Sequence, residues 1–77
     1  MAFRQLRERA GLTVKESAKR LGIKPGTLNK YEIAIRNPSQ IVMLKMVQAY
    51  NCTHEDVMIA YKINLERAVQ KFGRANP

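Results

Sequence analysis

The chain has 77 residues, enough for one domain with a thin core and too little for a deep catalytic cavity. Fourteen Lys and Arg against six Asp and Glu leave a net charge of +8, which favours a polyanion: nucleic acid first, an acidic membrane surface second. The excess is concentrated in residues 1–36, with nine basic and three acidic residues, against five and three in residues 37–77.

The apolar periodicity is helical throughout and the segments are short, so an all-α fold is expected. Phe3, Leu6 and Ala10 share one face of a first helix over about Ala2–Arg9, which Gly11 stops. Thr13 and Glu16 form a T-x-x-E capping box at the start of a second helix. Its buried face is Val14, Ala18 and Leu21, and Gly22 ends it. Pro25 starts a third helix, where a missing N–H costs no intrahelical bond. Leu28 and Tyr31 are its apolar face, and Asn37-Pro38 marks the following loop. Ser39 caps a fourth helix, with Ile41, Leu44 and Val47 expected inward and Asn51 at its end. Thr53 and Asp56 repeat the capping box with Asp in place of Glu. A fifth helix follows over His54–Phe72, with Gly73 as its stop. Met58, Tyr61, Leu65, Ala68 and Phe72 fall at heptad spacing along it. That seam is about two heptads long, so dimer packing and a helix that packs on the core and then frays are both open.

The stretch "LRERAGLTVKESAKRLGIKPGTLNKYEIAIRNPS" resembles the lambda-repressor-like (Xre/Cro-type) helix-turn-helix family. The likeness runs from residue 3 to about 60. It rests on Leu6-Arg7, Gly11-Leu12, Ala18, Leu21-Gly22-Ile23, Thr27-Leu28, Glu32 and Arg36-Asn37-Pro38, in that order. Small Ala18 suits a close helix approach, and Gly22 suits the tight turn. Leu12, Leu21, Ile23 and Leu28 would form the core joining the second and third helices. The resemblance implies a five-helix domain over residues 1–61, with a C-terminal helical extension and tail over 62–77. It also implies that Arg7 pairs with Glu32, tying the first helix to the third.

By the same resemblance the chain is a small, sequence-selective transcriptional regulator, Cro- or repressor-like. It would bind double-stranded DNA, an inverted repeat, as a homodimer in the cytoplasm of a bacterial or phage-infected cell, in association with the nucleoid. The third helix, residues 25–33, enters the major groove. The base-contact positions are Lys24, Pro25, Gly26, Thr27, Asn29 and Lys30. Phosphate contacts fall to Thr13, Val14, Lys15, Arg36, Asn37, Ser39 and Gln40, at or near the starts of the second and fourth helices. The dimer contact falls to the seam of Met58, Tyr61, Leu65, Ala68 and Phe72.

Three features depart from the family pattern. Val14 stands where a glutamine is common and cannot make that residue's hydrogen bond. Pro25 and Gly26 bring no side chain that can hydrogen-bond to a base edge. "IAIR" at 33–36 replaces a polar loop with a glycine, so a left-handed Ala34 would cost roughly 1 kcal/mol. Ile33 and Ile35 are expected to tuck into the core; exposed, they would mark a protein partner. The alternative function is therefore a protein-interaction module on the same scaffold, an antirepressor, adaptor or nucleoprotein component.

Other chemistries lack support in the residues. A single cysteine, Cys52, excludes an intrachain disulfide and fits a reducing compartment. With His54 it supplies two of the four ligands that a zinc site needs. His54 is expected at an exposed helix start, and Met43, Met46 and Met58 as core filler. Tyr31, Tyr50 and Tyr61 are too dispersed for base stacking. No nucleophile stands with a base, and no Gly-rich loop cradles phosphate, so a non-enzyme without metal or cofactor is expected. "MAFRQLRERA" leads into no apolar segment, which argues against a secretory signal. The longest apolar run, "VMIAY" at 57–61, is far too short for a bilayer, so no membrane partner is expected.

Overall fold

In the computed structural model, which describes residues 1–72 and only the backbone of Phe72, five helices follow one another without a strand. They are α1 (Phe3–Arg9), α2 (Val14–Leu21), α3 (Pro25–Glu32), α4 (Gln40–Ala49) and α5 (His54–Phe72). The all-α expectation holds. Gly73 and the side chain of Phe72 lie outside the described residues.

The helix starts follow local chemistry. Thr13 Oγ1 accepts the Glu16 N–H at 3.1 Å, and Glu16 Oε1 accepts the Thr13 N–H at 3.0 Å. The Thr53–Asp56 pair repeats this at 3.0 and 3.1 Å. Accepting these bonds holds both carboxyls below their usual range, chiefly through the backbone N–H of the capping threonine. Ser39 Oγ caps α4 through the Val42 N–H at 3.2 Å. α1 has half a box: Gln5 accepts the Ala2 N–H at 2.8 Å, and Ala2 has no oxygen to return the bond.

The first four helices end in one way. A residue with positive φ follows each: Gly11 (φ 75), Gly22 (φ 69), Ala34 (φ 62) and Asn51 (φ 48). At each, two backbone N–H groups fold back onto carbonyls of the last turn. The pairs are Gly11→Glu8 with Leu12→Arg7, Gly22→Lys19 with Ile23→Ala18, Ala34→Tyr31 with Ile35→Lys30, and Asn51→Gln48 with Cys52→Val47. Three of these stops carry a residue suited to the left-handed region; Ala34 does not.

The core gathers Phe3, Leu6, Leu12, Ala18, Leu21, Leu28, Tyr31, Val42, Met46, Tyr50, Val57 and Ala60. α2 packs on α3 and α4, and α5 packs on α4 and α1. Ile23 is half-buried at its edge. Across α2 and α4, the buried Ser17 and Tyr50 hydroxyls share a hydrogen bond of 2.6 Å. Desolvation pushes the Tyr50 hydroxyl pKa up.

Three expectations about burial are corrected. α4 turns Val42, Met46 and Tyr50 inward at spacings of four, whereas Ile41 and Leu44 are 67% and 55% exposed. Apolar side chains surround α4 almost completely, so periodicity alone could not choose its buried face. Ile33 and Ile35 do not tuck in; they are 50% and 56% exposed. The left-handed Ala34 directs its own methyl inward, to 2% exposure, and throws its neighbours outward. Met58, expected as filler, is also mostly exposed, while Met46 is fully buried and Met43 half-buried.

Arg7 joins three parts of this frame. Its Nε and Nη2 donate to Glu32 Oε2 and Oε1 at 2.7 and 3.0 Å, and its Nη1 donates to the Leu12 carbonyl at 2.9 Å. The side chains of the pair are 9% and 7% exposed. The bidentate hydrogen bond to Glu32 holds the guanidinium even more firmly protonated than usual. By contrast, Arg4–Glu8 and Arg9–Asp56 are surface pairs worth a few tenths of a kcal/mol, up to about 1.

Stability outcomes are expected at two places, the Arg7–Glu32 pair and Ala34. Arg7→Ala strands a buried carboxylate and should cost about 3–5 kcal/mol in denaturant unfolding. Arg7→Met combined with Glu32→Leu should recover most of that loss; an unchanged melting temperature in Arg7→Ala alone would discard the tie. At Ala34, relief of about 1–2 kcal/mol of left-handed strain competes with a lost buried methyl, about 0.8 kcal/mol, and greater freedom of the unfolded chain, about 0.4–1 kcal/mol. Ala34→Gly should therefore lie within about 1 kcal/mol of wild type. Ala34→Val, β-branched at positive φ, should destabilise by more than about 2 kcal/mol.

Candidate nucleic-acid interface

α3 divides cleanly into two faces. Leu28 and Tyr31 are buried and Thr27 is half-buried. Pro25, Gly26, Asn29 and Lys30 are exposed, with 25 and 29 and also 26 and 30 one turn apart. These four form one outward strip. Lys24 precedes it, exposed and extended, as the N-cap residue. Asn29 stands squarely on the strip, whereas Thr27 is turned partly toward the body of the domain. A Cβ built at Gly26 would meet nothing within 4 Å, so this end of the helix is open to a ligand's close approach.

Two helix starts could supply backbone donors: that of α2, beside α3, and that of α4, whose Ser39 and Gln40 also line a groove toward α5. The Thr13 capping box of α2 and the Ser39 cap of α4 engage only some of the first N–H groups, and the rest have no intrahelical partner. At α2 these are the N–H groups around Val14 and Lys15. Val14 is half-buried and lines a shallow hollow with Arg4, Asn29 and Ile33, which places the start of α2 next to the side of α3. At α4, Ser39 is the N-cap and exposed Gln40 opens the helix. The exposed Arg36 and Asn37 lie in the loop between α3 and α4, above buried Pro38. Among the described residues, Lys15, Lys24, Lys30 and Arg36 make no ion pair, so their charge faces solvent.

One residue of this region escaped the sequence reading. Asn64, in the middle of α5, is 1% exposed. Its Nδ2 donates to the Tyr31 carbonyl at 2.8 Å and to Asn37 Oδ1 at 3.2 Å. The signal was available: Val57, Ala60 and Asn64 fall at i, i+3 and i+7, a buried stripe with an amide in it. Further along α5, Lys71 donates to the Ile33 carbonyl. α5 thus reaches back over the end of α3.

Of the heptad seam, Met58 and Leu65 are 53% and 40% exposed, and Tyr61 and Ala68 are half-buried. Met58 and Tyr61 line a groove of about 530 Å³ between α4 and α5, together with Met43, Leu44 and the exposed His54. Cys52 is half-buried against the core, and desolvation pushes its thiol pKa up. No three His, Cys, Asp or Glu side chains gather into a metal-binding group among the described residues. No helix among them is long and apolar enough to cross a membrane.

Comparison with known families agrees with this geometry. A helix-turn-helix family model matches residues 3–57, covering α1 to the start of α5. No curated protein and no solved structure matches the chain. The chain belongs to the lambda-repressor-like helix-turn-helix family of DNA-binding regulators.

Proposed function

We propose that the protein is a sequence-selective transcriptional regulator that lays α3 in the major groove of an inverted repeat. The observation that carries this reading is the outward strip of α3 beside unpaired cations, in the half of the chain holding most of the charge excess. Lys30 can donate to guanine O6 and N7, and Asn29 can bond adenine from the same face. Lys24 and Thr27 add contacts at the margin. Pro25 and Gly26 contribute shape only: an apolar edge for a thymine methyl and room for the backbone to come close. The first N–H groups of α2 and α4, with Thr13, Lys15, Arg36, Asn37, Ser39 and Gln40, grip phosphate. Direct readout is therefore sparse, and phosphate contacts supply most of the affinity.

The same reading makes the protein a homodimer. Ile41 and Leu44 lie one turn apart on α4, and Leu44 and Met58 share a groove with Tyr61. Leu65, one turn beyond Tyr61 on α5, is exposed as well, and exposed apolar side chains grouped in this way suit a protein partner. A second copy seated there would present two α3 helices to half-sites one helical turn apart.

A second reading is a protein-interaction module on the same scaffold, favoured by the exposure of Ile33 and Ile35 at the end of α3. Selection from random duplex DNA, repeated across a salt series, separates the two. The regulator reading expects an enriched inverted repeat and an affinity that falls steeply with salt. Lys30→Ala should then relax one base position by about 1–3 kcal/mol, and Arg36→Ala should weaken all sequences alike and flatten the salt slope by about 1. Binding without enrichment, or no binding at physiological salt, would move the function to the interaction module. Leu65→Glu, at an exposed position, should sediment as a monomer that still unfolds cooperatively, with a melting temperature no longer dependent on protein concentration; a dimer that survives it would place the partner elsewhere.

A further inference from the structure

We infer that Asn64 is a positioning residue for DNA binding, acting through the amide of Asn37. The inference rests on the DNA-binding reading above and concerns how one phosphate contact is made. Asn64 is a buried amide in a helix whose neighbouring buried residues, Val57 and Ala60, are apolar. An amide in such a place costs free energy unless its hydrogens find acceptors. Both hydrogens do: one acceptor lies on the buried side of α3, the helix that would face DNA, and the other in the exposed loop that follows it. One hydrogen goes to the Tyr31 carbonyl, an acceptor in the last turn of α3, at 2.8 Å. The other goes to Asn37 Oδ1, at 3.2 Å.

The second bond has a directional consequence. Asn64 Nδ2 only donates, so it selects the orientation of Asn37 in which Oδ1 points inward. The Asn37 NH₂ group is then left pointing outward from an exposed loop. A phosphate oxygen only accepts hydrogen bonds, so this is the one orientation of the amide that attracts it. An unpinned Asn37 could present either end, and the carbonyl end would repel phosphate. The first bond holds the end of α3 in place at the same time, so that strip and loop keep one spacing. α5, which reads no base, thereby sets the geometry of the grip.

A double-mutant cycle on affinity tests this, with Asn64→Ala, Asn37→Ala and the double variant titrated on the selected duplex at a temperature where circular dichroism shows all to be folded. Asn64→Ala should weaken binding about three- to ten-fold in the wild-type background. In the Asn37→Ala background the loss should be clearly smaller, because the group it orients is gone and only its bond to the Tyr31 carbonyl remains to be lost. An equal loss in both backgrounds, or no loss in either, would overturn the inference. Asn37→Asp gives a second measurement that leaves Asn64 in place. It keeps an oxygen for the Asn64 donor, so the melting temperature should stay near wild type, while a carboxylate oxygen now faces phosphate. Binding should fall below that of Asn37→Ala; binding equal to or tighter than Asn37→Ala would count against the inward oxygen. Wild-type protein that binds no duplex at all would sink the DNA reading and this inference together, whereas tight binding with an additive cycle would sink the inference alone.

Discussion

The contact between Arg7 and Glu32 is the one on which the remaining geometry depends. α1, α2 and α3 have seven or eight residues each, too few to be stable as isolated helices. Their mutual placement must come from tertiary contacts. The guanidinium meets Glu32 at the last turn of α3 and the Leu12 carbonyl between α1 and α2. A planar fork with three bonds fixes direction as well as distance, which apolar packing alone does less sharply. Replacing such a pair with matched apolar residues need not cost stability. What the pair contributes is a defined angle for the outward strip of α3.

The left-handed stops have the complementary role. Helix directions change at Gly11, Gly22, Ala34 and Asn51, and each change is fixed by paired backbone bonds. The third turn is the unusual one, because an alanine holds a conformation that glycine adopts freely. Its buried methyl offsets part of that strain, and the turn exposes Ile33 and Ile35. Strained backbone beside a binding surface is a common arrangement. Here it puts two isoleucines next to the surface proposed to meet DNA.

Much of this was legible in the residue order. The Thr13–Glu16 and Thr53–Asp56 boxes, Pro25 at a helix start and Gly11 and Gly22 at helix ends are local signals, and local chemistry decides them. The Arg7–Glu32 tie was legible only through family likeness, since nothing in spacing links residues so far apart. The face of α4 was not legible, because its apolar residues offer nearly equal faces and packing against α2 chooses between them. Asn64 was hidden for a different reason: a polar letter in an amphipathic helix reads as surface until its two acceptors are seen. For the candidate interface, sequence and family likeness nominated the residues, and the structure describes how they are placed. The structure adds that Asn29 shares the strip with Lys30 and that Asn37 is held from α5.

Gly26 has a consequence of another kind. It has an ordinary helical backbone, and the space its side chain would occupy is empty. Folding makes no demand on that position, whereas neighbouring Leu28 and Tyr31 are locked into the core. Natural variation at 26 is thereby released from the usual conflict between keeping a fold and acquiring a new preference. A descendant gene could install a hydrogen-bonding side chain there in one substitution, with no repair needed elsewhere. On the proposed function, the bare site at the head of α3 is an evolutionary degree of freedom, through which a lineage could drift from one operator to another while its scaffold stays the same.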